Sequence, residues 1–457
     1  MGHIIAALDL GTSKSIAIVA RKDFFGKLSL LRTETILSKN AIRRGRIYHS
    51  DETSDIISKL IRKLNSSPET MQVEKIYVGI GGQSLHTQSF NVKKNIEDGI
   101  VTQELLGLIE AEANNHKPEF EENLGVASRE YYADGQLVSS PKGILASVIE
   151  ARFQLVAGNP CLKRNLEKAL GEKEISVADY FISPLATAEA VLTSKEKESG
   201  CALVEMGEGV TYVSIYKNKT LKYMVTLPLG SLAITKDIRS LNVLEDEAEI
   251  LKKEFGSAIS NLDDSSAVPV NDEHDSSRKI ELKELNWIIE GRVDEIVKNI
   301  INQIQISGYS QTLNAGIVIT GGGALLRDLP QYIRNQTGKE VRLANAKMWL
   351  NQVETQLSPA DSCVAGLIIL GEENCVKETA TKKPVAEMPS IFENGNDVQK
   401  KEKPVVTEDT DRKSSSPWFR RVGNKIKKTI EGGIEGGVII FDDDRLNNTN
   451  NNNPASN

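Results

Sequence analysis

Three short segments carry residue types suited to a phosphorylated ligand. The first is Asp9-Leu10-Gly11-Thr12-Ser13-Lys14, set between the apolar runs Ile4–Leu8 and Ser15–Ala20. Two strands joined by a tight turn of small residues form a hairpin whose backbone N–H groups can face phosphate oxygens. Gly11 permits close backbone approach, Thr12 and Ser13 add hydroxyl donors, and Lys14 adds a positive charge. Asp9, at the strand end, is placed to hold Mg²⁺ through water, because Mg²⁺ binds few carboxylates and keeps most of its hydration. The second segment, Cys201 to Tyr216, repeats the form, with Glu205 where Asp9 stands, Gly207 where Gly11 stands, and Gly209 two residues on. The third, Gly316 to Leu326, is an apolar strand that breaks into Gly321-Gly322-Gly323 and then a helix, suited to a nucleoside or phosphate lying against bare backbone. A helical stretch from Glu245 to Lys253 offers Glu249 and Lys252 or Lys253 to a ribose and adenine. Taken singly, each turn reads equally as an ordinary polar connection. No GxxxxGK[ST] and no strand-to-helix GxGxxG occurs, which disfavours P-loop and Rossmann sites.

The elements that must hold these turns are legible as alternating β-branched runs and helical patterns from Met1 to about Gly371, the mark of mixed α/β layers. The two strand–turn–strand units, opening at Ile4 and Ala202, suggest two related halves. Gly256 to Lys279, with its LDDSS and NDEHDSS runs, reads as a loop. Val376 to Ser416 is rich in Lys, Glu, Pro, Ser, Thr and Asp and reads as a disordered tether, since it buries too little apolar surface to offset the entropy of ordering. The chain has 457 residues and a formal net charge of −7, which argues against a protein coating nucleic acid. No run approaches the roughly 18 apolar residues of a membrane-spanning helix. The N-terminal apolar run is too short for a signal-peptide core. Cys161, Cys201, Cys363 and Cys375 form no CxxC pair, so a cytoplasmic protein with reduced thiols is expected.

Beyond the tether lies a basic amphipathic segment. At 100° per residue, Trp418, Phe419, Val422, Ile426 and Ile430 share a ~120° arc, with Arg420, Arg421, Lys425, Lys427 and Lys428 opposite. This is the pattern of a helix lying in the headgroup layer of an anionic bilayer. A calmodulin-type target or a nucleic-acid patch has a similar pattern, and the tether before it argues against docking on the chain's own body.

Strand–DLGTSK–strand, strand–EMGEG–strand and strand–TGGG–helix, in that order, together resemble the actin/Hsp70/hexokinase superfamily. There, two hairpins grip phosphates from either side and a glycine turn supports adenosine. The finer resemblance is to the FtsA family of actin-like bacterial cell-division proteins. It rests also on Arg44-Gly45-Arg46-Ile47, Ile76 to Gly82, Val101 to Glu104, Gly143 to Ala151 and Ser358 to Gly371. The resemblance implies an α/β, actin-like, two-lobed ATPase fold with an inserted subdomain, followed by a disordered linker and a C-terminal amphipathic helix. The implied divisions are lobe I at 1–82 and 166–200, the insertion at 83–165, the lobe II core at 201–240 and 304–351, and its outer subdomain at 241–303. A return helix then falls at 352–375, the linker at 376–415, the amphipathic helix at 416–431 and an Asn-rich tail at 432–457.

The same resemblance implies ATP and Mg²⁺ as ligands, with Asp9 and Glu205 holding the metal through water. It implies self-assembly into filaments, other division proteins as partners, no nucleic acid, and a peripheral position on the cytoplasmic face of the inner membrane at the division site. The FtsZ C-terminal peptide is expected around Asn286 to Glu295, with Arg292 and Glu295 at the contact. Glu205 stands where the family usually has Asp, Glu208 where it has a small residue, and Val210 where it has Thr. A longer carboxylate and a negative charge in a phosphate turn both weigh against hydrolysis, so at most a slow ATPase is expected. The alternatives are a small-molecule kinase of the same superfamily, for which no convincing extra catalytic carboxylate occurs, and an actin-like pilus-assembly adaptor, which typically lacks the basic helix.

Overall fold

The computed structural model describes residues 2–38, 40–66, 71–171, 175–270, 278–350 and 353–378. The first sheet forms around β1 (His3–Leu10), in which Ile5 to Leu8 are buried without interruption. A continuous apolar run of this kind is a strand covered on both faces. β1 pairs antiparallel with β2 (Lys14–Lys22), which pairs with β3 (Leu28–Leu37). On its other edge β1 pairs parallel with Lys75–Ile80, itself parallel to Ser176–Ile182. The helix Ser50–Asn65 carries an acidic first turn and a basic last turn, favourable to its dipole, and buries Ile56, Ile57, Leu60 and Leu64.

The second sheet has nine strands. Cys201–Met206, Thr211–Lys217 and Thr220–Leu227 form a meander, and Ile317–Thr320 and Val341–Leu343 extend it in parallel from Cys201–Met206. Its far side is built by the inserted strands His86–Asn95, Glu122–Ala133, Gln136–Val138 and Val148–Gly158. The junction is one backbone pair, Val225 with His86, supported by Thr226 Oγ1 donating to the Leu85 carbonyl at 2.7 Å and by the Lys222–Glu130 ion pair. Three apolar cores result: one centred on lobe I that also takes in Leu203, Tyr212, Tyr216 and Val318 of the second sheet, one within lobe II, and one beneath the helix Gln103–Asn114 of the insertion.

Several elements differ from the sequence reading. The expected loop at Gly256 to Lys279 contains the strand Ala267–Pro269, paired with Lys279–Glu281, because Val268 and Ile280 find a shared apolar contact that the polar composition conceals. The strand Lys347–Leu350 belongs to the first sheet, where Trp349 pairs with Ser29, although it lies in a span assigned to the second lobe. The glycine turn passes first into a 3-10 turn, Gly322–Leu325, and the helix begins only at Leu329. Val376–Glu378, read as the start of the tether, is a strand paired with Met71–Val73. The remainder of the linker, the amphipathic segment and the Asn-rich tail lie outside the described residues.

Beneath the cleft the helices Ser183–Val191 and Ser362–Leu370 pack closely against each other at Gly366. A Cβ there would lie 1.9 Å from the Ala186 carbonyl oxygen, so only glycine allows the approach. Gly366→Ala is expected to destabilise the protein by about 1–3 kcal/mol, the range for overpacking a filled core. A lowered urea midpoint at unchanged slope would show this, whereas an unchanged midpoint would mean that the helices separate freely.

Candidate functional site

The two hairpin turns are built alike. In the first, Gly11 N–H donates to the Lys14 carbonyl at 3.1 Å, leaving Thr12 and Ser13 at the apex. In the second, Gly207 N–H donates to the Val210 carbonyl at 2.9 Å, leaving Glu208 and Gly209. Each turn follows a strand whose penultimate residue is acidic, Asp9 or Glu205, in the same register with its partner strand. The turns touch: a Cβ on Gly209 would meet Thr12 Oγ1 at 2.6 Å and the Arg44 backbone at 2.9 Å, so a side chain there would push the lobes apart. Thr12 Oγ1 in turn accepts from Gly45 N–H at 3.0 Å.

Between the turns lies a cavity of about 550 Å³. Asp9, Gly11, Thr12, Ser13, Lys14, Glu205, Gly207, Gly209, Glu249, Lys252, Gly321, Gly322 and Gly323 all line it, as do Glu208 and Lys253. Asp9 and Glu205 are accessible only in part, and burial raises the pKa of both carboxyls. Glu205 is pushed up to about 8, first by burial and then by the nearby Asp9. Glu205 Oε2 and Glu208 Oε2 are buried without a hydrogen-bond partner. Burial likewise raises Glu208, with a bond from Ser13 opposing. Two carboxylates crowded in one cleft, one with an orphaned oxygen, fit a divalent cation held by Asp9 and Glu205 with water completing its shell. Among the described residues no group of three or more His, Cys, Asp or Glu is placed to hold a metal directly.

The far wall is a fixed ionic network. Lys252 is 7% exposed, and its Nζ donates to Glu249 Oε2 at 2.6 Å, Thr235 Oγ1 at 2.8 Å and the Ser231 carbonyl at 3.2 Å. Burial lowers the Lys252 pKa. Burial would also raise Glu249, but Lys252, Thr235 and Lys253 outweigh it and hold the carboxyl low.

Three further groups were not singled out in the sequence. Asp361 pairs with Lys14 at 2.5 Å, Cys363 Sγ donates to Asp9 Oδ1 at 3.3 Å, and the buried Tyr212 hydroxyl accepts from Gly82 N–H at 2.7 Å. Asp361 and Cys363 lie in the return helix region and Tyr212 in the second hairpin, but nothing local marks what they face across the fold.

The expected peptide-binding pair lies away from the cleft, on the helix Leu282–Ile306. Arg292 grips Asp237 through two bonds, Nε–Oδ2 at 2.5 Å and Nη2–Oδ1 at 3.0 Å, and also pairs with Glu295. It is therefore an engaged cation rather than a free one. Trp418, Phe419, Arg420, Arg421, Val422, Lys425, Ile426, Lys427, Lys428 and Ile430 lie outside the described residues. Among the described residues no helix is long and apolar enough to cross a membrane.

Residues 202–366 match the family model described as "Cell division protein FtsA". The chain is 31% identical over 360 residues to the cell division protein FtsA of Porphyromonas gingivalis, covering 78% of this chain and 74% of that protein. It is 28% identical to the Neisseria meningitidis FtsA, over 72% of this chain and 80% of that protein. It is also 28% identical to the Bacillus subtilis FtsA, over 75% and 79%. Among solved structures, a PilM–PilN type IV pilus biogenesis complex superposes with a TM-score of 0.56 at 13% identity, covering 80% of this chain and 97% of that one. At that identity the likeness speaks to the fold alone, which is the actin-like two-lobed α/β fold expected from the three turns.

The buried carboxyl of Glu205 makes stability depend on pH. With its folded pKa near 8 and an ordinary value near 4.5, the folded state holds more protons than the unfolded state between those limits, so stability falls as pH rises through them. In nucleotide-free protein, Glu205→Gln is expected to remove this decline, gaining on the order of 2–4 kcal/mol over wild type between pH 5 and pH 9. Urea unfolding at both pH values checks this, and parallel pH profiles for the two proteins would refute it.

Proposed function

The chain belongs to the FtsA family of cell-division proteins, and on that premise we propose that it is an ATP-binding, self-assembling subunit that fastens the division ring to the cytoplasmic face of the cell membrane. The observation that carries the nucleotide reading is the convergence of two equivalent turns, two crowded carboxylates and a glycine turn on one cavity. Thr12, Ser13 and Gly209 present backbone and hydroxyl donors to phosphate oxygens. Asp9 and Glu205 hold Mg²⁺ through water, and the ion, when bound, neutralises phosphate charge. Gly321 to Gly323 receive the nucleoside, and Glu249 and Lys252, already fixed by Thr235, meet ribose and adenine. Two groups weaken the phosphate end: Glu208 repels it, and Lys14 is shared with Asp361. The reading is therefore a nucleotide-dependent assembly switch with at most slow hydrolysis.

The segment Trp418 to Ile430 serves as the membrane foot. Each basic residue near anionic lipid contributes on the order of 1 kcal/mol, and about 14 residues form only a marginal helix alone. A single foot thus binds reversibly, while a row of feet on a filament binds firmly through effective concentration. The outer part of the second lobe takes the acidic FtsZ tail, which exchanges its carboxylates for Asp237 at Arg292.

Two measurements check these readings. Glu208→Ser removes the repelling charge and should tighten ATP binding by roughly tenfold, as for one displaced charge in a partly buried site. Unchanged affinity would place the phosphates elsewhere. Vesicles rich in anionic lipid should sediment the intact chain but not a form ending before Ser416, and should carry FtsZ tail peptide with the intact chain. Equal sedimentation of both forms would defeat the foot, and absence of peptide from the pellet of the intact chain would defeat the division-ring reading.

A further inference from the structure

The turn between β2 and β3 presents an apolar point with no role in the cleft. Phe24 and Phe25 are 79% and 81% exposed, side by side at its tip. The turn is not loose. Asp23 N–H donates to the Lys27 carbonyl at 3.1 Å, and Gly26 N–H to the Asp23 carbonyl at 3.1 Å. Asp23 Oδ1 accepts from the backbone N–H of Phe25 and of Lys27, each at 2.9 Å. The only nearby acid of the turn is thus folded inward, while Arg21 and Lys27 flank the aromatic pair on the exposed surface.

The position of this tip is fixed by β1, which runs from it towards the cleft. Lys22, the last residue of β2, donates to the carbonyls of Ile369 and Gly371 at 2.8 and 2.9 Å. A few residues on, Cys375 N–H donates to the Ile4 carbonyl at 2.7 Å, and Val376–Glu378 closes the described chain along Met71–Val73. The described chain therefore ends, at Glu378, on the same end of lobe I that carries Phe24 and Phe25. Neighbouring charges at that end are matched, Lys75 with Glu373 and Lys377 with Glu74.

We propose that the Phe24–Phe25 tip is a second lipid contact, a wedge that enters the headgroup layer of an anionic bilayer and fixes which face of lobe I looks at the membrane. The proposal rests on the membrane-foot reading, since the foot brings the tip to the surface. Two aromatic side chains on a five-residue turn, Asp23 to Lys27, make a narrow point. A specific protein partner needs a face of roughly 800 Å², whereas two aromatic rings flanked by cations suit the bilayer interface. A foot on a long connection leaves the body free to tumble; a foot and a wedge together define one orientation, and the second contact adds to the first as a linked site.

The test uses the full chain in a Cys161→Ser background, because Cys201, Cys363 and Cys375 are buried. An environment-sensitive fluorophore is attached at Phe25→Cys or, separately, at Val422→Cys, and each protein is mixed with phosphatidylglycerol–phosphatidylethanolamine vesicles with and without doxyl lipids. Both labels should shift to the blue and be quenched by the doxyl lipids. The unlabelled Phe24→Ser/Phe25→Ser variant should bind vesicles roughly tenfold more weakly at an unchanged thermal midpoint. A label at 422 that responds while that at 25 stays in water would overturn the wedge and leave the foot standing. Silence of both would overturn the two together. A response at 25 that follows protein concentration without vesicles would also overturn it, assigning the tip to a second copy of the chain.

Discussion

The architecture turns on the crowding of Asp9 and Glu205. Each is the penultimate residue of a buried interior strand, and the two lobes bring these strand ends to one cavity, where burial raises both carboxyls. The folded body thus holds a close placement of two acids whose charged forms burial disfavours. Nothing in packing calls for it, since the apolar cores of the lobes lie behind these residues.

The lobes share part of the first apolar core, which includes Leu203, Tyr212 and Val318 of the second sheet, and specific polar contacts add to it. Tyr212 from the second lobe receives Gly82 N–H, Gly209 rests on Thr12 and Arg44, and Arg342 of the second lobe pairs with Glu196 of the first. Below them the helices that meet at Gly366 deliver Ser183 and Cys363 to the cavity. The insertion does not ride on the first lobe alone. Its sheet is continuous with that of the second through Val225 and His86, so a movement between lobes is felt at the insertion as well.

Much of this site was legible in the sequence because its parts are local. DLGTSK and EMGEG are turns whose residue types fix both the backbone path and the chemistry, and the structure shows them as copies of one another. The glycine turn was legible for the same reason, although its helix begins later than the pattern suggests, since Gly322–Leu325 adopts a 3-10 turn. What stayed hidden is long-range. Asp361 lies 347 residues from Lys14, and the union of the insertion with the second sheet depends on a single backbone pair. Arg292 read as an available cation because Asp237, its partner, sits on a different helix. The strand Ala267–Pro269 was masked by polar neighbours whose composition outweighed one well-placed valine.

If, as proposed, Mg²⁺ and a nucleotide occupy the cleft beside Asp9 and Glu205, the Glu205 carboxyl that burial keeps protonated must release its proton as they bind. Calorimetric titration of Mg²⁺ and ATP near pH 7, repeated in two buffers with different heats of ionisation, measures the protons exchanged on binding. Net proton release, which disappears when Glu205 is replaced by Gln, is the expected result. Binding with no proton release, or binding of equal strength when Mg²⁺ is chelated, would contradict the account.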